Sequence, residues 1–326
     1  MESSNFPLQG VIAIITEDIS ELDAAVRLGV SCVEIRPDLL MAKGMGVDGV
    51  MAVVERAKTL GLASLFTCRR RDHGGVFDGS HRDQFELSLA AADQGADVVD
   101  LEWDSQFGEV LIRSGITTIL SHHDFSGTPD DGEFSVIMDR VRALSPRGFK
   151  FIPTAHGFDD AIKILRWVNE ADENLIRIGF AMGQAGGFSR ILTRCMGAPI
   201  TYCPLGQAIA PGQISIESAL HHYRIQSHSS ATRTIGMLDD VDVSRDMVEG
   251  RMASINATGK PDQGKAQCET ASRISVPITD ATYDQVRSEA AFLKMDAIYV
   301  SRSKLESIPD SDNPIPCQDG GAVVVL

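Results

Sequence analysis

Short runs of apolar and β-branched residues alternate with amphipathic segments along the first two thirds of the chain. Eight such runs lie at residues 10–16, 31–36, 62–68, 96–103, 115–122, 148–155, 175–182 and 198–203. Runs of this length predict strands, and the segments between them have the 3.6-residue period of helices. Eight strand–helix units in succession predict a (β/α)8 TIM barrel over residues 1–226, with a doubly wound open sheet as the alternative.

The pattern changes after residue 226. Residues 227–326 are mostly polar and only weakly periodic, so they can bury little apolar surface. Within them, residues 283–302 predict a helix followed by a strand. We therefore expect a poorly structured, partly disordered C-terminal extension of unknown role.

Charge and cysteine content narrow the class of protein. A formal net charge of −15 disfavours binding to nucleic acid and to anionic membranes. The six cysteines include no C-x-x-C pair, so we expect reduced thiols rather than a zinc site. The N-terminus lacks the basic start and apolar core of a secretion signal, and no apolar run approaches membrane-spanning length. We therefore expect a cytoplasmic protein.

Six predicted strands carry ionisable residues, most of them at or just after the C-terminal end of the strand. In a barrel the C-terminal ends of all strands face one rim, so these side chains would meet in one pocket. They are Glu34, Arg36, Arg69, Asp100, Glu102, His123, Lys150 and Arg190, and Gln213 lies in the loop after the eighth strand. One charged strand end is usually a solvated boundary, but so many at one rim predict an active site.

Lys150 lies in the middle of the sixth predicted strand, between apolar neighbours. Burial and cationic neighbours such as Arg69 and Arg190 would lower the pKa of this amine, and a neutral amine attacks carbonyl carbon to form a Schiff base. The alternative is an ion pair with a carboxylate of the second or fourth strand that only stabilises the barrel. The residues alone leave both interpretations open.

The fifth predicted strand ends in His122 and His123, whose side chains point to opposite faces because they are adjacent. His123 is the candidate general acid–base, and a core histidine bonded to Asp100 or Glu102 is the alternative. Since only one of the two imidazoles can face the pocket, we expect no metal. His73, in a glycine-flanked loop, is expected at the surface, with a place over the pocket as the alternative.

The sequence motifs at the ends of the predicted strands resemble those of type I 3-dehydroquinate dehydratase. In order and spacing they are VEIRPD, FTCR, DLEW, SHHDF, GFKFIPTA, GFSR and APGQIS, and the resemblance covers about residues 8–226. It implies a (β/α)8 barrel that acts on 3-dehydroquinate in the shikimate route to aromatic amino acids. It also implies a homodimer and no metal or organic cofactor.

The resemblance assigns roles position by position. Lys150 matches the Schiff-base lysine, His123 the general acid–base, and Glu102 the carboxylate beside that histidine. The expected substrate-binding residues are Glu34, Arg36, Arg69, Met182, Arg190, Ile209 and Gln213. Ile209 departs from the family, in which this position of the closing loop is a serine that contacts substrate, so a raised KM is expected.

Two other functions remain open. One is another lysine-imine enzyme of the class I aldolase type, and the other is a non-catalytic barrel that senses quinate or dehydroquinate. Residues 290–300 also resemble a helix–strand piece of shikimate dehydrogenase. The extension is too short to hold that enzyme and has no complete nucleotide motif, so no dehydrogenase activity is expected.

Overall fold

Each of the eight apolar runs forms one strand in the structure, a computed structural model. The strands are β1 Gly10–Ile15, β2 Cys32–Ile35, β3 Ala63–Thr67, β4 Val98–Glu102, β5 Thr118–Asp124, β6 Gly148–Pro153, β7 Ile176–Gly179 and β8 Ile200–Pro204. The structure describes residues 6–170, 172, 174–206, 213–238, 273–300, 302–309, 312, 315–316 and 322–325. The chain divides into two units, Met1–Ser229 and Ser230–Leu326.

The strands of the first unit form a nearly closed parallel barrel. Their order is β7-β6-β5-β4-β3-β2-β1-β8, so the first strand pairs with the last, with Gly10 opposite Ile200. One core cluster takes side chains from all eight strands, namely Ile12, Cys32, Leu65, Val98, Ile119, Ile152, Ile178 and Ile200. An open doubly wound sheet has a strand order that reverses at a central strand, and its two faces cannot share one core. The barrel prediction is confirmed and the open-sheet alternative is wrong.

Helices follow the strands on the outside of the barrel. They are α1 Ser20–Arg27, α2 Pro37–Ala42, α3 Val47–Thr59, α4 His81–Gln94, α5 Gly108–Arg113, α6 Asp131–Leu144, α7 Phe158–Asn169 and α8 Gly187–Leu192. Reciprocal capping boxes, Ser80 with Asp83 and Asp130 with Glu133, satisfy the first amides of α4 and α6. After β8 the chain forms a short helix that is π-helical over Ser218–His222 and ends before Arg224, whose φ of 52° is left-handed.

The second unit contains a five-stranded sheet. Its elements are β9 Arg233–Leu238, β10 Arg273–Ile278, α9 Tyr283–Glu289, β11 Met295–Val300, β12 Ile315–Pro316 and β13 Ala322–Val325. The order is β10-β9-β11-β13-β12, with β9 parallel to both neighbours and β13 antiparallel to both of its own. The helix and strand predicted within residues 283–302 correspond to α9 and β11. The expected disorder concerns residues that include 239–272, which lie outside the described ones.

Among the described residues, no helix is both long enough and apolar enough to cross a membrane.

Candidate active site

A cavity of about 420 Å³ opens at the C-terminal ends of the barrel strands. Eight of the predicted site residues line it: Glu34, Arg36, Arg69, His123, Lys150, Met182, Arg190 and Gln213. Glu102 does not line the cavity, and Ile209 lies outside the described residues. Strand alternation therefore places most of the predicted residues in one pocket, as the C-terminal rim of a barrel requires.

Lys150 is buried in β6, with 5% of its surface exposed. Its neighbours Phe149 and Phe151 point outward and make edge-to-face contacts with Trp167 of α7, so Lys150 points into the barrel. Its Nζ atom lies 3.3 Å from Asp100 Oδ2 and 3.6 Å from Glu34 Oε1. The ion pairs of the structural interpretation are therefore present, and the amine also faces the cavity, as the catalytic interpretation requires.

Asp100 is the centre of the charged cluster. Its Oδ1 accepts hydrogen bonds from Arg69 Nη2 and from Ser121 Oγ, both at 2.6 Å. Burial opposes ionisation of this carboxyl, but Arg69 and Lys150 outweigh it and hold the pKa of Asp100 below its usual value. A carboxylate that stays charged can hold both cations in place.

Glu102 does not pair with His123, contrary to the expectation from the resemblance. Its carboxylate accepts hydrogen bonds from Gln84 Nε2 at 2.6 Å and from Arg69 Nη1 at 3.2 Å. His123 Nδ1 has no hydrogen-bond partner within the described ranges. The strand register gives the reason, because Glu102 of β4 pairs with Ser121 of β5. Ser121 precedes His123 by two residues, so Glu102 lies one layer of inward side chains deeper in the barrel than His123.

His123 lies in the layer above Lys150, because β5 and β6 pair Ser121 with Lys150 and His123 with Ile152. Burial first, and then the positive charges of Arg69 and Lys150, hold the pKa of His123 well below its ordinary value. The imidazole is therefore neutral near pH 7 and can accept a proton from a group bound in the cavity.

His122 points the other way, as adjacency on a strand predicts. Its ring lies between Trp103 and Phe151, with centroid distances of 5.4 and 5.6 Å. It belongs to the packing between strand and helix layers.

Two arginines of the pocket have contrasting surroundings. Arg36 donates two hydrogen bonds to Asp38, at 2.9 and 2.8 Å. Arg190 is 2% exposed, and none of the described carboxylates pairs with it. Its guanidinium carbon lies 4.4 Å from the ring centroid of Phe180, and burial lowers the pKa of Arg190 to about 10. A buried cation without a carboxylate is suited to bind an anionic group of a ligand.

The loop between β3 and α4 forms one wall of the cavity. A Cβ atom on Gly75 would lie 2.0 Å from the carbonyl oxygen of Arg69, so the loop backbone packs directly on the end of β3. His73 of this loop lines the cavity, with Nε2 3.5 Å from Asp104 Oδ1. It therefore occupies the position that the sequence allowed only as the alternative to a surface site.

Several residues of the site were not singled out from the sequence. Ser121 and Gln84 hold the two carboxylates of β4, and Tyr202 and Phe180 form an aromatic wall beneath the cations. Alternation along β8 could have identified Tyr202 as an inward residue. Nothing local distinguishes Gln84 from other polar residues of α4. Within the described ranges, no group of three or more His, Cys, Asp or Glu residues could hold a metal ion.

Comparisons with known proteins agree with this geometry. The model of the family described as Type I 3-dehydroquinase matches residues 11–230. The 3-dehydroquinate dehydratase of Methanopyrus kandleri is 34% identical over 212 residues, which cover 64% of this chain and 95% of that protein. That of Dehalococcoides mccartyi is 33% identical over 183 residues, or 55% of this chain and 82% of that protein.

Solved structures give the same fold. The 3-dehydroquinate dehydratase from Aquifex aeolicus has a TM-score of 0.55 and 26% identity, over 64% of this chain and 95% of that one. A protein described as dehydroquinate dehydratase and shikimate dehydrogenase from S. pombe has a TM-score of 0.55 and 21% identity, over 98% of this chain and 64% of that one. At that identity the likeness concerns the fold alone, and it extends over both units.

Proposed function

The chain belongs to the type I 3-dehydroquinase family, and we propose that its pocket dehydrates 3-dehydroquinate to 3-dehydroshikimate through a Schiff base on Lys150. The relatives in Methanopyrus kandleri and Dehalococcoides mccartyi are named for this dehydratase activity. The observation that carries the proposal is the position of Lys150, the one lysine among the described residues that line the cavity, one inward layer from the neutral imidazole of His123.

In the first step, the ammonium of Lys150 releases a proton, and the free amine adds to the ketone carbon of the substrate. The hydroxyl of the carbinolamine that forms takes up a proton and leaves as water, which gives an iminium with one positive charge on nitrogen. Asp100 and Glu34 lie 3.3 and 3.6 Å from Nζ, so their carboxylates face that charge. They stabilise the iminium more than the neutral ketone, which lowers the barrier to its formation.

In the second step, His123 acts first as a base and then as an acid. The iminium acidifies the adjacent C–H bond, and His123 takes that proton to give an enamine. The enamine electrons expel the tertiary hydroxyl, to which His123 returns the proton, so that water leaves. Hydrolysis of the new iminium releases 3-dehydroshikimate and restores Lys150. A pKa below the ordinary value keeps His123 unprotonated, as the first transfer requires.

The other pocket residues bind and position the substrate in this proposal. Arg190 holds the substrate carboxylate, because it is a buried cation that no described carboxylate pairs with. The residues that contact the ring hydroxyls and its apolar face are Glu34, Arg36, Arg69, Met182 and Gln213. Glu102 acts through Arg69, which it holds at 3.2 Å. The effect of Ile209 stays a prediction.

Borohydride trapping tests the proposal. The protein is incubated with 3-dehydroquinate and borohydride, and the adduct is located by intact mass and peptide mapping. We expect one adduct on Lys150, and we expect Lys150→Ala to lose both the adduct and turnover. Lys163→Ala is the matched control, because Lys163 lies on α7 in an ion pair with Asp131. Ligand binding without an adduct or turnover would instead favour a non-catalytic barrel.

We further propose that the chain forms a homodimer, as the resemblance implies. Sedimentation equilibrium at micromolar concentration gives the mass directly, and a monomer mass at every concentration would refute the dimer. The cytoplasmic location stays a prediction.

A further inference from the structure

Two of the buried cations that line the pocket, Lys150 and Arg190, each lie on the face of an aromatic ring. Lys150 Nζ is 4.2 Å from the ring centroid of Tyr202 in β8. The guanidinium carbon of Arg190 is 4.4 Å from the ring centroid of Phe180, directly after β7. The two rings are neighbours, with centroids 6.1 Å apart and planes inclined by 57°. Tyr202 and Phe180 thus form one aromatic wall beneath both cations.

A ring face and a carboxylate hold a cation in different ways. The ring attracts the cation through its quadrupole, most strongly where water is excluded, and it accepts no proton. A carboxylate offers lone pairs that take hydrogen bonds and can take the proton itself. Lys150 has both kinds of neighbour, because it pairs with the carboxylates of Asp100 and Glu34 and also contacts the ring of Tyr202. The contact with the Tyr202 ring involves no proton of Nζ. It can therefore persist while Nζ loses protons and forms a bond to carbon.

Tyr202 is suited to act through its ring. It is 3% exposed, and β8 pairs it with Ile12 of β1, so that its backbone is fixed in the barrel wall. Its hydroxyl is buried and has no hydrogen-bond partner within the described ranges. Burial, with Glu34 and Asp100 nearby, raises the pKa of this phenol well above its ordinary value, so the ring remains neutral. A neutral ring keeps its face available to a cation near neutral pH.

We propose that Tyr202 is a positioning residue for Lys150. Its ring face holds Nζ at the floor of the pocket in the ammonium form and holds the iminium nitrogen in the same place after the ketone has condensed. This inference rests on the proposed function, because a Schiff base on Lys150 gives the contact its catalytic consequence. Removal of the ring should therefore slow the steps at Lys150 more than it weakens substrate binding.

Single-turnover trapping of the wild type and of leucine variants tests the inference. Tyr202→Leu is expected to lower the rate of adduct formation at saturating 3-dehydroquinate on the order of tenfold or more, with a smaller change in KM. Phe180→Leu is the matched control, since it removes the adjacent ring of the same wall. Its main effect should fall on KM, because Phe180 supports Arg190 rather than Lys150. Equal adduct rates for Tyr202→Leu and the wild type would overturn the proposal.

A second series separates the ring's electrostatics from its packing, and it stays informative if Tyr202→Leu fails to fold. Phenylalanine and its mono-, di- and trifluorinated forms are incorporated at position 202, which weakens the quadrupole stepwise at nearly constant shape. The logarithm of the adduct rate should fall steadily along the series. A flat series in folded protein would mean that Tyr202 only packs, and would overturn the inference alone. Absence of the adduct in the wild type would instead overturn the proposed function and, with it, this inference.

Discussion

The charged residues beneath the cavity are interdependent because almost no water reaches them. Arg69, Lys150, Asp100 and Glu102 are each at most 5% exposed. Taking one charge out of water costs several kcal/mol unless an opposite charge and hydrogen bonds replace the solvent. Asp100 provides this for both cations, at 2.6 Å from Arg69 and 3.3 Å from Lys150. The loss of any one charge therefore affects all of its partners.

Asp100→Asn is expected to lower the free energy of unfolding by about 3–5 kcal/mol, because it leaves two buried cations short of one negative charge. Urea denaturation monitored by circular dichroism measures the change. Asp23→Asn is the matched control. Asp23 pairs with Arg56 at 3.0 Å, but its side chain is 46% exposed, so its loss should change the free energy by about 1 kcal/mol or less. Similar losses for the two variants would contradict this account of the cluster.

The pH below which turnover declines should depend on the pKa of His123. Its pKa in the folded protein is lowered well below the ordinary histidine value, so the imidazole remains a neutral base as the pH falls through about 6.5. The rate, kcat/KM, should therefore hold through that range and decline only at lower pH. His123→Asn should remove activity throughout, whereas His221→Asn, a variant of an exposed residue, should leave the profile in place. A decline centred near the ordinary histidine value would contradict the assignment.

At the scale of elements, strand alternation and one tight loop build the pocket. Alternation places Lys150, His123 and Glu34 inside the barrel, because inward positions recur every two residues. The β3–α4 loop closes one side, and Gly75 allows its backbone to contact the carbonyl of Arg69. The helices contribute support from outside, as Gln84 of α4 does for Glu102.

Gly75→Ala should disturb the site without removing any functional group. Its Cβ would lie 2.0 Å from backbone oxygen, so the loop must move, and Arg69 with it. We expect kcat/KM to fall on the order of tenfold, with about 1–3 kcal/mol lost from the free energy of unfolding. Gly46→Ala is the control, because nothing lies within 4 Å of its added Cβ and its φ is −78°. A Gly75→Ala protein with wild-type kinetics would show that the loop contact is dispensable.

At the scale of the whole molecule, the described site residues all belong to one of the two units of the chain. Every described residue assigned to the site lies in Met1–Ser229, as does the barrel core. The match to the family ends at residue 230. The second unit has its own sheet and its own buried residues, including Tyr283, Val286 and Ile298. Its role is still open, and the absence of shikimate dehydrogenase activity stays a prediction.

A chain that ends at Ser229 should retain the dehydratase activity, with kcat/KM within about threefold of the full chain, because a unit with its own core can fold alone. Steady-state kinetics on the two proteins make the comparison. A chain that ends at Gly197 is the control, because it shows the effect of a truncation that removes part of the barrel. It lacks β8, including Tyr202, and should not fold. Loss of activity on removal of residues 230–326 alone would show that catalysis depends on the second unit.

The sequence predicted the barrel strands more completely than the second unit. Every barrel strand is a short apolar run bounded by polar residues, which is a local signal. In the second unit, β9 lies within a polar stretch and β12 has only two residues, Ile315–Pro316. Such strands are stabilised by pairing with distant neighbours rather than by their own composition, so local periodicity did not reveal them.

Which side chains point into the barrel can be predicted from the sequence, because alternation along a strand is a local property. Lys150, His123, Arg69 and Glu34 follow from it. Which of these groups contact one another depends on the folded barrel. The stagger between β4 and β5 places Glu102 one layer beneath His123 rather than beside it. There Glu102 accepts a hydrogen bond from Gln84 of α4. Barrel closure likewise brings Tyr202 beneath Lys150, because register and closure depend on pairings between distant segments that no local pattern encodes.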